Sequence, residues 1–411
     1  MAVSRVLFVS LTDDMGTDRL VSDMGRCGAQ CAVLGPTACV ASLPRCVEAR
    51  FVVPRGFRGA FALGRTLRTA VSDWRPDVVV PLDDLAATLL RTLARKARPL
   101  SHLRRLLRVS FGAQDGYAAA YERVALMRAA VAAGVRVPPF EAAGGVLDRG
   151  FGEDVPLPAM VKRDQSSGSG GVVKADTRRN LLHAILRGWL KSAAKAQIAR
   201  LSGFGRPVTP VLVQSVVEGR LAMYTAVCRE GRVIDGVGFE AVQSHPVKGS
   251  STILRHRPHP EMAESARRLA DALGCSGFIS LDFILDDAGR AFLIEMNARP
   301  VGSAHLGRRF GHDLAHAFLT GAACASASAE PTAGDIALFP KELERDPAGI
   351  RLDGGAIVHD VPWHEPAVVT AYLARLQSQH PAHAADLARR CGTATRVKPF
   401  STTADAQPEP C

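Results

Sequence analysis

The sequence predicts a multidomain chain of mixed α/β and α+β architecture, and three observations lead to this fold class. Residues 1–110 alternate between short apolar runs and amphipathic stretches, a pattern typical of a parallel sheet covered by helices. Residues 277–299 instead alternate apolar and polar side chains with the two-residue period of a β-hairpin. A length of 411 residues is enough for two or three domains with sizeable cores.

The composition favours a soluble globular protein, whose positive charge reflects an arginine-rich composition or, as the alternative, anionic substrates. With 47% hydrophobic and 22% charged residues, the chain has the profile of a folded soluble protein. Its first apolar run, Val6 to Val9, is too short for a signal peptide or a membrane helix, so we expect a cytoplasmic protein without a membrane partner. The net charge of +11 is spread along the chain and only 6% of residues are aromatic, so no nucleic-acid partner is expected.

The nine cysteines are predicted to be buried free thiols. Cys27, Cys31, Cys39 and Cys46 cluster in the sequence, and the first two are expected one turn apart on a helix. Structural zinc sites usually take close cysteine pairs with a turn between the ligands, so the spacing argues against zinc. A cytoplasmic chain also argues against disulfides.

Four strands are predicted in residues 1–110, at RVLFVS, CAVLG, RFVVP and DVVVPL, with helices over residues 17–27 and up to Ser72. Asp83 and Asp84 follow the last strand, where open sheets commonly bind ligands. A helix cap explains these two residues equally well. No G-x-G-x-x-G follows the first strand, so a dinucleotide cofactor is not expected.

A helix is predicted over residues 117–133, closed by Gly134, and residues 157–175 then read as strand, Gly/Ser-rich loop and strand. Glycines let backbone N–H groups approach phosphate oxygens, and Lys162 at the strand end adds a positive charge. The segment is therefore either a phosphate-binding loop or a simple hairpin connection. The candidate phosphate-binding residues of the loop are Ser166, Ser167, Gly168, Gly170 and Gly171.

The hairpin of residues 277–299 carries the most specific signal in the chain. Alternation places Asp282 on one strand and Glu295 and Asn297 on the next, all on one face. Three hard oxygen donors on a rigid sheet suit Mg²⁺, which is usually completed by water and nucleotide phosphates. An ordinary hairpin with solvated acidic residues is the alternative, although Glu295 and Asn297 follow an apolar run, where unpaired polar groups are costly to bury.

Together these segments resemble the ATP-grasp superfamily, whose members use ATP to activate carboxylates. The resemblance rests on Asp282, the E-x-N of Glu295 and Asn297, the trailing Arg299, and the upstream lysine with its glycine-rich loop. It implies an ATP-grasp domain over residues 111–325, with a lid lobe at about 138–213 and a metal lobe at about 214–325. A Rossmann-like pre-ATP-grasp domain would occupy residues 1–110, and a linker and C-terminal extension residues 326–411.

The resemblance also implies roles for residues around the nucleotide. Arg123 stands where the family has a lysine, and an arginine can still bind phosphate. The segment after residue 211 resembles the hinge that passes the adenine edge, and the carboxylate expected for the ribose falls on Leu221, with Glu218 as a substitute. Met160 and Ile294 would form apolar walls around the adenine base, or they would simply pack in the core. The hinge residues implied are Gln214, Ser215 and Val217.

The activity implied by the resemblance is that of a ligase that uses ATP and Mg²⁺, with Mn²⁺ as an alternative metal. A small-molecule carboxylate would become an acyl phosphate and be captured by an amine or another nucleophile, with Lys162 and Arg299 in catalysis. A nucleotide-binding regulator without ligase activity and a small-molecule kinase are the alternatives. Lys248 and Arg255 belong either to an acceptor pocket or to a solvated loop. The sequence allows a homo-oligomer but does not predict the oligomeric state.

Overall fold

The structure is a computed structural model. It describes residues 4–13, 16–55, 57–98, 100–117, 119, 121–143, 155–164, 171–201, 210–246, 249–324, 334–347 and 357–379. Within these ranges no helix has both the length and the apolar character that a membrane crossing needs.

The N-terminal region forms the parallel sheet that the sequence predicts. Apolar strands pair in the order β3-β2-β1-β4, with Leu7 and Val9 facing one buried cluster and Val6 and Phe8 the other. Helices therefore cover both faces. The elements are β1 (Arg5–Val9), α1 (Asp18–Arg26), β2 (Gln30–Gly35), β3 (Val47–Val52), α2 (Phe57–Trp74), β4 (Val78–Pro81), α3 (Asp84–Lys96) and α4 (His102–Phe111).

The expectation that Cys27 and Cys31 share a helix is wrong. Cys27 caps the C-terminus of α1, and Gly28 follows with a φ of +85°, which ends the helix. Cys31 lies on β2 and is fully buried. The seven cysteines in the described part of the chain are free thiols, as predicted, but only four of them are buried, while Cys27, Cys46 and Cys324 are half-buried.

The helix predicted over residues 117–133 begins later than expected. α5 spans Arg123–Ala132 and follows a 3₁₀ turn at Gln114–Tyr117. The backbone N–H of Arg123 donates to the carboxylate of Asp164 at 2.7 Å, so a side chain distant in sequence fixes the first residue of the helix. Gly134, with a φ of +69°, ends α5 as predicted.

A second, antiparallel sheet has the order β5-β8-β6-β7; we call it the lid sheet, and the sheet together with its helix the lid lobe. A long helix packs across it and buries Leu181 and Ile185 against Val161 and Val213. The elements are β5 (Phe140–Ala143), β6 (Ala159–Lys162), β7 (Val172–Ala175), α6 (Arg178–Leu201) and β8 (Val211–Ser215).

The third sheet has seven strands in the order β13-β12-β9-β10-β11-β14-β15. Helix α7 packs on one face, where Met262 and Leu269 are fully buried, and α8 joins the other face to α1. The elements are β9 (Arg220–Arg229), β10 (Arg232–Ser244), β11 (Ser251–His256), α7 (Pro260–Leu273), β12 (Gly277–Leu285), β13 (Ala291–Asn297), α8 (Leu314–Thr320), β14 (Asp335–Leu338), α9 (Lys341–Arg345), β15 (Ile357–Asp360) and α10 (Pro366–Gln379).

The C-terminal segment, from β14 to α10, docks on the core. β14 pairs antiparallel with β11 and parallel with β15, so the segment extends the large sheet. Helix α10 covers the loop after β1, where the buried Tyr372 hydroxyl bonds to Asp18 and accepts from the N–H of Gly16 at 2.8 Å. The segment therefore closes the carboxyl end of the N-terminal sheet.

Candidate active site

Two facing strands bring the predicted oxygen ligands onto one face of the seven-stranded sheet. β12 and β13 pair antiparallel, with Asp282 opposite Glu295, and the Nδ2 of Asn297 donates to the Oδ2 of Asp282 at 3.3 Å. The next pair joins Phe283 to Leu293, so Ile294 is the extra residue of a β-bulge. A bulge leaves backbone groups outside the hydrogen-bond ladder of the strands. The carbonyl of Ile294 accepts a hydrogen bond from Lys162 instead.

Lys162 reaches this face from the lid sheet. Its side chain is buried, and Nζ donates to the Oε1 of Gln214 at 2.7 Å and to the carbonyl of Ile294 at 3.3 Å. Burial and the positive charge of Arg123 lower the pKa of Lys162 to about 8, against the opposing charges of Glu295 and Asp282. The two sheets thus meet at one cation.

Arg123 supplies a second cation from the start of α5. Its Nη2 lies 2.9 Å from the Oε1 of Glu295, and its Nε donates to the carbonyl of Arg163 at 3.1 Å. The Nη1 atom is buried and has no hydrogen-bond partner within the described residues. An unpaired buried donor is costly, so this edge of Arg123 is suited to an anionic ligand.

The charges around Asp282 fit a divalent cation. Burial raises the pKa of Asp282 to about 7, and the negative charge of Glu295 acts in the same direction. A cation between the two carboxylates would displace that proton and relieve their repulsion. Two carboxylates and an amide oxygen are the hard donors that Mg²⁺ prefers. No group of three or more His, Cys, Asp or Glu side chains in the described ranges is placed for a metal ion; Asp282, Glu295 and Asn297 are a mixed set of two carboxylates and one amide.

Arg299 lies two residues after the end of β13 and forms a two-point ion pair with the N-terminal region. Its Nε and Nη2 donate to the two carboxylate oxygens of Asp84 at 2.5 and 3.0 Å. Burial raises the pKa of Asp84, but the charge and hydrogen bonds of Arg299 outweigh this effect and hold the pKa below its usual value. Asp83 instead caps α3, where it accepts from the N–H of Ala86 at 2.8 Å. The two neighbouring aspartates therefore have different functions.

A cavity of about 70 Å³ opens between α3, α5 and β13. It combines Glu295 and Asn297, two of the three candidate metal ligands, with cations and with an apolar wall that includes Leu126 and Met296. Its polar lining is Asp84, Thr88, Arg91, Tyr121, Glu122, Arg123, Glu295 and Asn297.

The predicted adenine hinge lies at the end of β8, close to the lysine. Gln214 is buried, and its Nε2 lies 3.2 Å from the Sδ of Met127 while its oxygen accepts from Lys162. The amide therefore holds the lysine, and its predicted contact with adenine stays a prediction. Met160 pairs with Gln214 across β6 and β8. The hydroxyl of Ser215 is buried without a partner in the described part of the chain, while Val217 is half-buried and Glu218 exposed.

Several predicted residues lie outside the described residues. They are Ser166, Ser167, Gly168, Gly170 and Lys248. Gly171, next to this gap, accepts from the N–H of Arg163 at 3.0 Å. Arg255 is engaged by the C-terminal segment, because its guanidinium donates to both oxygens of Asp335 at 2.7 and 3.0 Å.

Sequence reasoning missed Asp164 as a site residue and left the function of Asp84 open. Asp164 fixes Arg123, and Asp84 fixes Arg299. An aspartate two residues after a candidate phosphate lysine was the available signal for Asp164. For Asp84, the signal was its position at the carboxyl end of a parallel strand.

Comparisons with family models and with characterised protein sequences find no match. Comparison with solved structures finds matches. The biotin carboxylase domain of Hydrogenobacter thermophilus 2-oxoglutarate carboxylase, in complex with MgADP, ADP and bicarbonate, aligns with a TM-score of 0.57 at 13% identity, over 80% of this chain and 72% of that one. Biotin carboxylase from Campylobacter jejuni gives 0.59 at 14% identity, over 80% and 73%.

An L-amino acid ligase from Bacillus licheniformis gives a TM-score of 0.54 at 14% identity, over 78% of this chain and 74% of that one. At such identities the likeness shows the fold alone. These structures are ATP-grasp proteins, so the chain has the ATP-grasp fold, as the sequence predicted.

Proposed function

We propose that this protein is an ATP-dependent ligase that converts a small-molecule carboxylate into an acyl phosphate for capture by an amine or another nucleophile. The observation that carries the proposal is the meeting of Asp282, Glu295 and Asn297 with Lys162 and Arg123. Oxygen donors for a metal and cations for phosphates come together from different elements of the chain. Phosphoryl transfer needs this combination, because its catalysis rests on positioning and charge neutralisation.

Asp282, Glu295 and Asn297 would hold Mg²⁺, with Mn²⁺ as an alternative, and the metal would neutralise charge on the β- and γ-phosphates. Lys162 contributes a point charge that is fixed in place by Gln214 and the carbonyl of Ile294. The Nη1 of Arg123, buried and unpaired among the described residues, would donate to an anionic oxygen. These residues support nucleotide binding at the junction of the two sheets.

Arg299 would orient the acid. A carboxylate oxygen of the substrate would attack the γ-phosphorus while ADP leaves, and the nucleophile would then attack the acyl carbon and release phosphate. Asp84 occupies the Nε–Nη2 edge of Arg299 and fixes its orientation, so the Nη1–Nη2 end of the guanidinium would be the part that holds the substrate carboxylate. Biotin carboxylases and an amino acid ligase share the fold at low identity, which supports carboxylate activation at a coarse level.

Hydroxylamine trapping tests the proposal, because an acyl phosphate reacts readily with this small nucleophile. Small carboxylic acids and amino acids are screened with MgATP and hydroxylamine, and the correct acid should give a hydroxamate together with ADP and phosphate. A stable phosphorylated product without hydroxamate would identify a kinase instead. Binding of MgATP without turnover for any acid would favour a nucleotide-binding regulator.

A further inference from the structure

Helix α6 presents an exposed row of leucines on the outer side of the lid sheet. Leu182, Leu186 and Leu190 are 50%, 37% and 52% exposed. Residues four apart lie on the same face of a helix, so the three leucines form one continuous apolar strip. We call this strip the leucine row. The helix already packs its other face on the lid sheet through Leu181 and Ile185, so stability of the lobe does not require the row.

A row of basic side chains runs beside the leucine row. It consists of Arg179, His183, Arg187 and Lys191, which also repeat every four residues and are all exposed. Residues 178–201 contain no aspartate or glutamate, so the helix offers no acidic side chain to balance this charge. The face of α6 therefore combines an apolar strip with a positive strip along its length.

We propose that this face of α6 docks an acidic amphipathic helix of another protein. A row with four-residue spacing forms a ridge that packs into the groove of a second helix, and a positive strip beside it selects acidic flanking residues on that partner. The leucine row spans nine residues, a rise of about 12 Å or two helical turns. A partner helix of two to three turns is long enough to cover it.

The same charges disfavour two other occupants. A second copy of α6 would place basic strips against each other, in a chain whose net charge is already +11. An anionic membrane would match the charge, but membrane-surface helices usually insert aromatic side chains together with leucine. Trp189, the aromatic residue of α6, packs against the buried cluster of the lid lobe.

The test uses a labelled helical peptide with leucine at every fourth position and glutamate after each leucine, and a matched peptide with lysine in place of glutamate. Fluorescence anisotropy should show saturable binding of the glutamate peptide alone. Leu186→Ser and Arg187→Glu should each weaken that binding roughly tenfold or more. Arg187→Glu should gain affinity for the lysine peptide, because its charge is then complementary. Val131→Ser, at an exposed apolar residue of α5, is the matched control and should bind like the unmodified protein.

Thermal unfolding confirms that each variant folds. Equal binding of both peptides, or binding unaffected by the two α6 variants, would overturn the proposal. It would also be overturned if phosphatidylserine vesicles, and not the peptide, bound in a manner that depends on Leu186. Light scattering that showed a dimer lost on Leu186→Ser would assign the face to a second copy of the chain.

Discussion

The guanidinium of Arg299 and the carboxylate of Asp84 form a two-point ion pair between residues 215 positions apart in the sequence. The pair ties the strands of the candidate metal site to the first turn of α3 in the N-terminal sheet domain. Arg299 is 14% exposed and Asp84 40% exposed, so the arginine is the more enclosed partner. The N-terminal domain thus determines where a candidate catalytic group points.

Asp84→Ala should reduce hydroxamate formation roughly tenfold while leaving ATP affinity unchanged, because Arg299 loses the partner that orients its fork. Calorimetric titration with ATP and the hydroxamate assay measure the two effects separately. Hydroxamate formation by Asp84→Asn should lie between that of Asp84→Ala and that of the unmodified protein. If Asp84 only competed with the substrate carboxylate for the guanidinium of Arg299, Asp84→Ala would instead lower the KM for the acid without reducing kcat.

Asp282→Asn and Glu295→Gln should each reduce MgATP turnover by about 100-fold or more, since each removes one negative charge from the metal set at nearly constant volume. Circular dichroism and thermal unfolding should remain close to those of the unmodified protein. Asp286→Asn, on the turn of the same hairpin where it binds Arg290, is the matched control and should keep full turnover. Near-normal turnover of Asp282→Asn and Glu295→Gln would refute the metal assignment.

Gln214→Leu should raise the KM for ATP roughly tenfold, because it removes the acceptor of a charged hydrogen bond to Lys162. Gln214→Glu restores an acceptor and adds a negative charge, so it should recover binding and move the basic limb of the pH–rate profile to higher pH. Burial and Arg123 hold the pKa of Lys162 at about 8, and a carboxylate would raise it. A profile identical in all three proteins would count against ionisation of Lys162 in the reaction.

Asp164→Ala should destabilise the protein by about 1 kcal/mol, the usual effect of removing a helix cap. It should also reduce turnover, because the same carboxylate fixes the start of α5 and hence the position of Arg123. Chemical denaturation and the phosphate-release assay give the two quantities. Asp271→Ala, at the C-terminal end of α7, controls for the loss of an aspartate on a helix. A stability loss without any change in turnover would separate the cap from the site.

The sequence predicts the features of the site that local periodicity encodes. The strands with Asp282 and Glu295, the lysine at the end of β6 and the glycine that ends α5 all lie where the residue pattern places them. Sequence does not predict the Asp164 cap or the pair of Asp84 with Arg299. Both join segments that no periodic pattern relates, and their geometry depends on how the separate sheets pack. The bulge at Ile294 was not predicted for a similar reason, since it is a shift in register between two otherwise regular strands.

The ion pair of His312 with Asp235 should make stability depend on pH near neutrality. Their side chains meet at 2.8 Å, and this hydrogen bond raises the pKa of His312 above its usual 6.5. A raised pKa in the folded state means that the contribution is fully present below the pKa of the unfolded chain and is lost as pH rises through the folded value. His312 is 39% exposed, so solvent screening limits the effect to less than about 1 kcal/mol.

Urea denaturation at pH 5.5 and 8.5 should therefore show that His312→Asn is less stable than the unmodified protein at the lower pH, with the difference shrinking at the higher pH. His102→Asn, at an exposed histidine of α4, is the matched control for the loss of a surface histidine. A His312→Asn deficit that was equal at both pH values would mean that the contact stabilises through packing and not through charge.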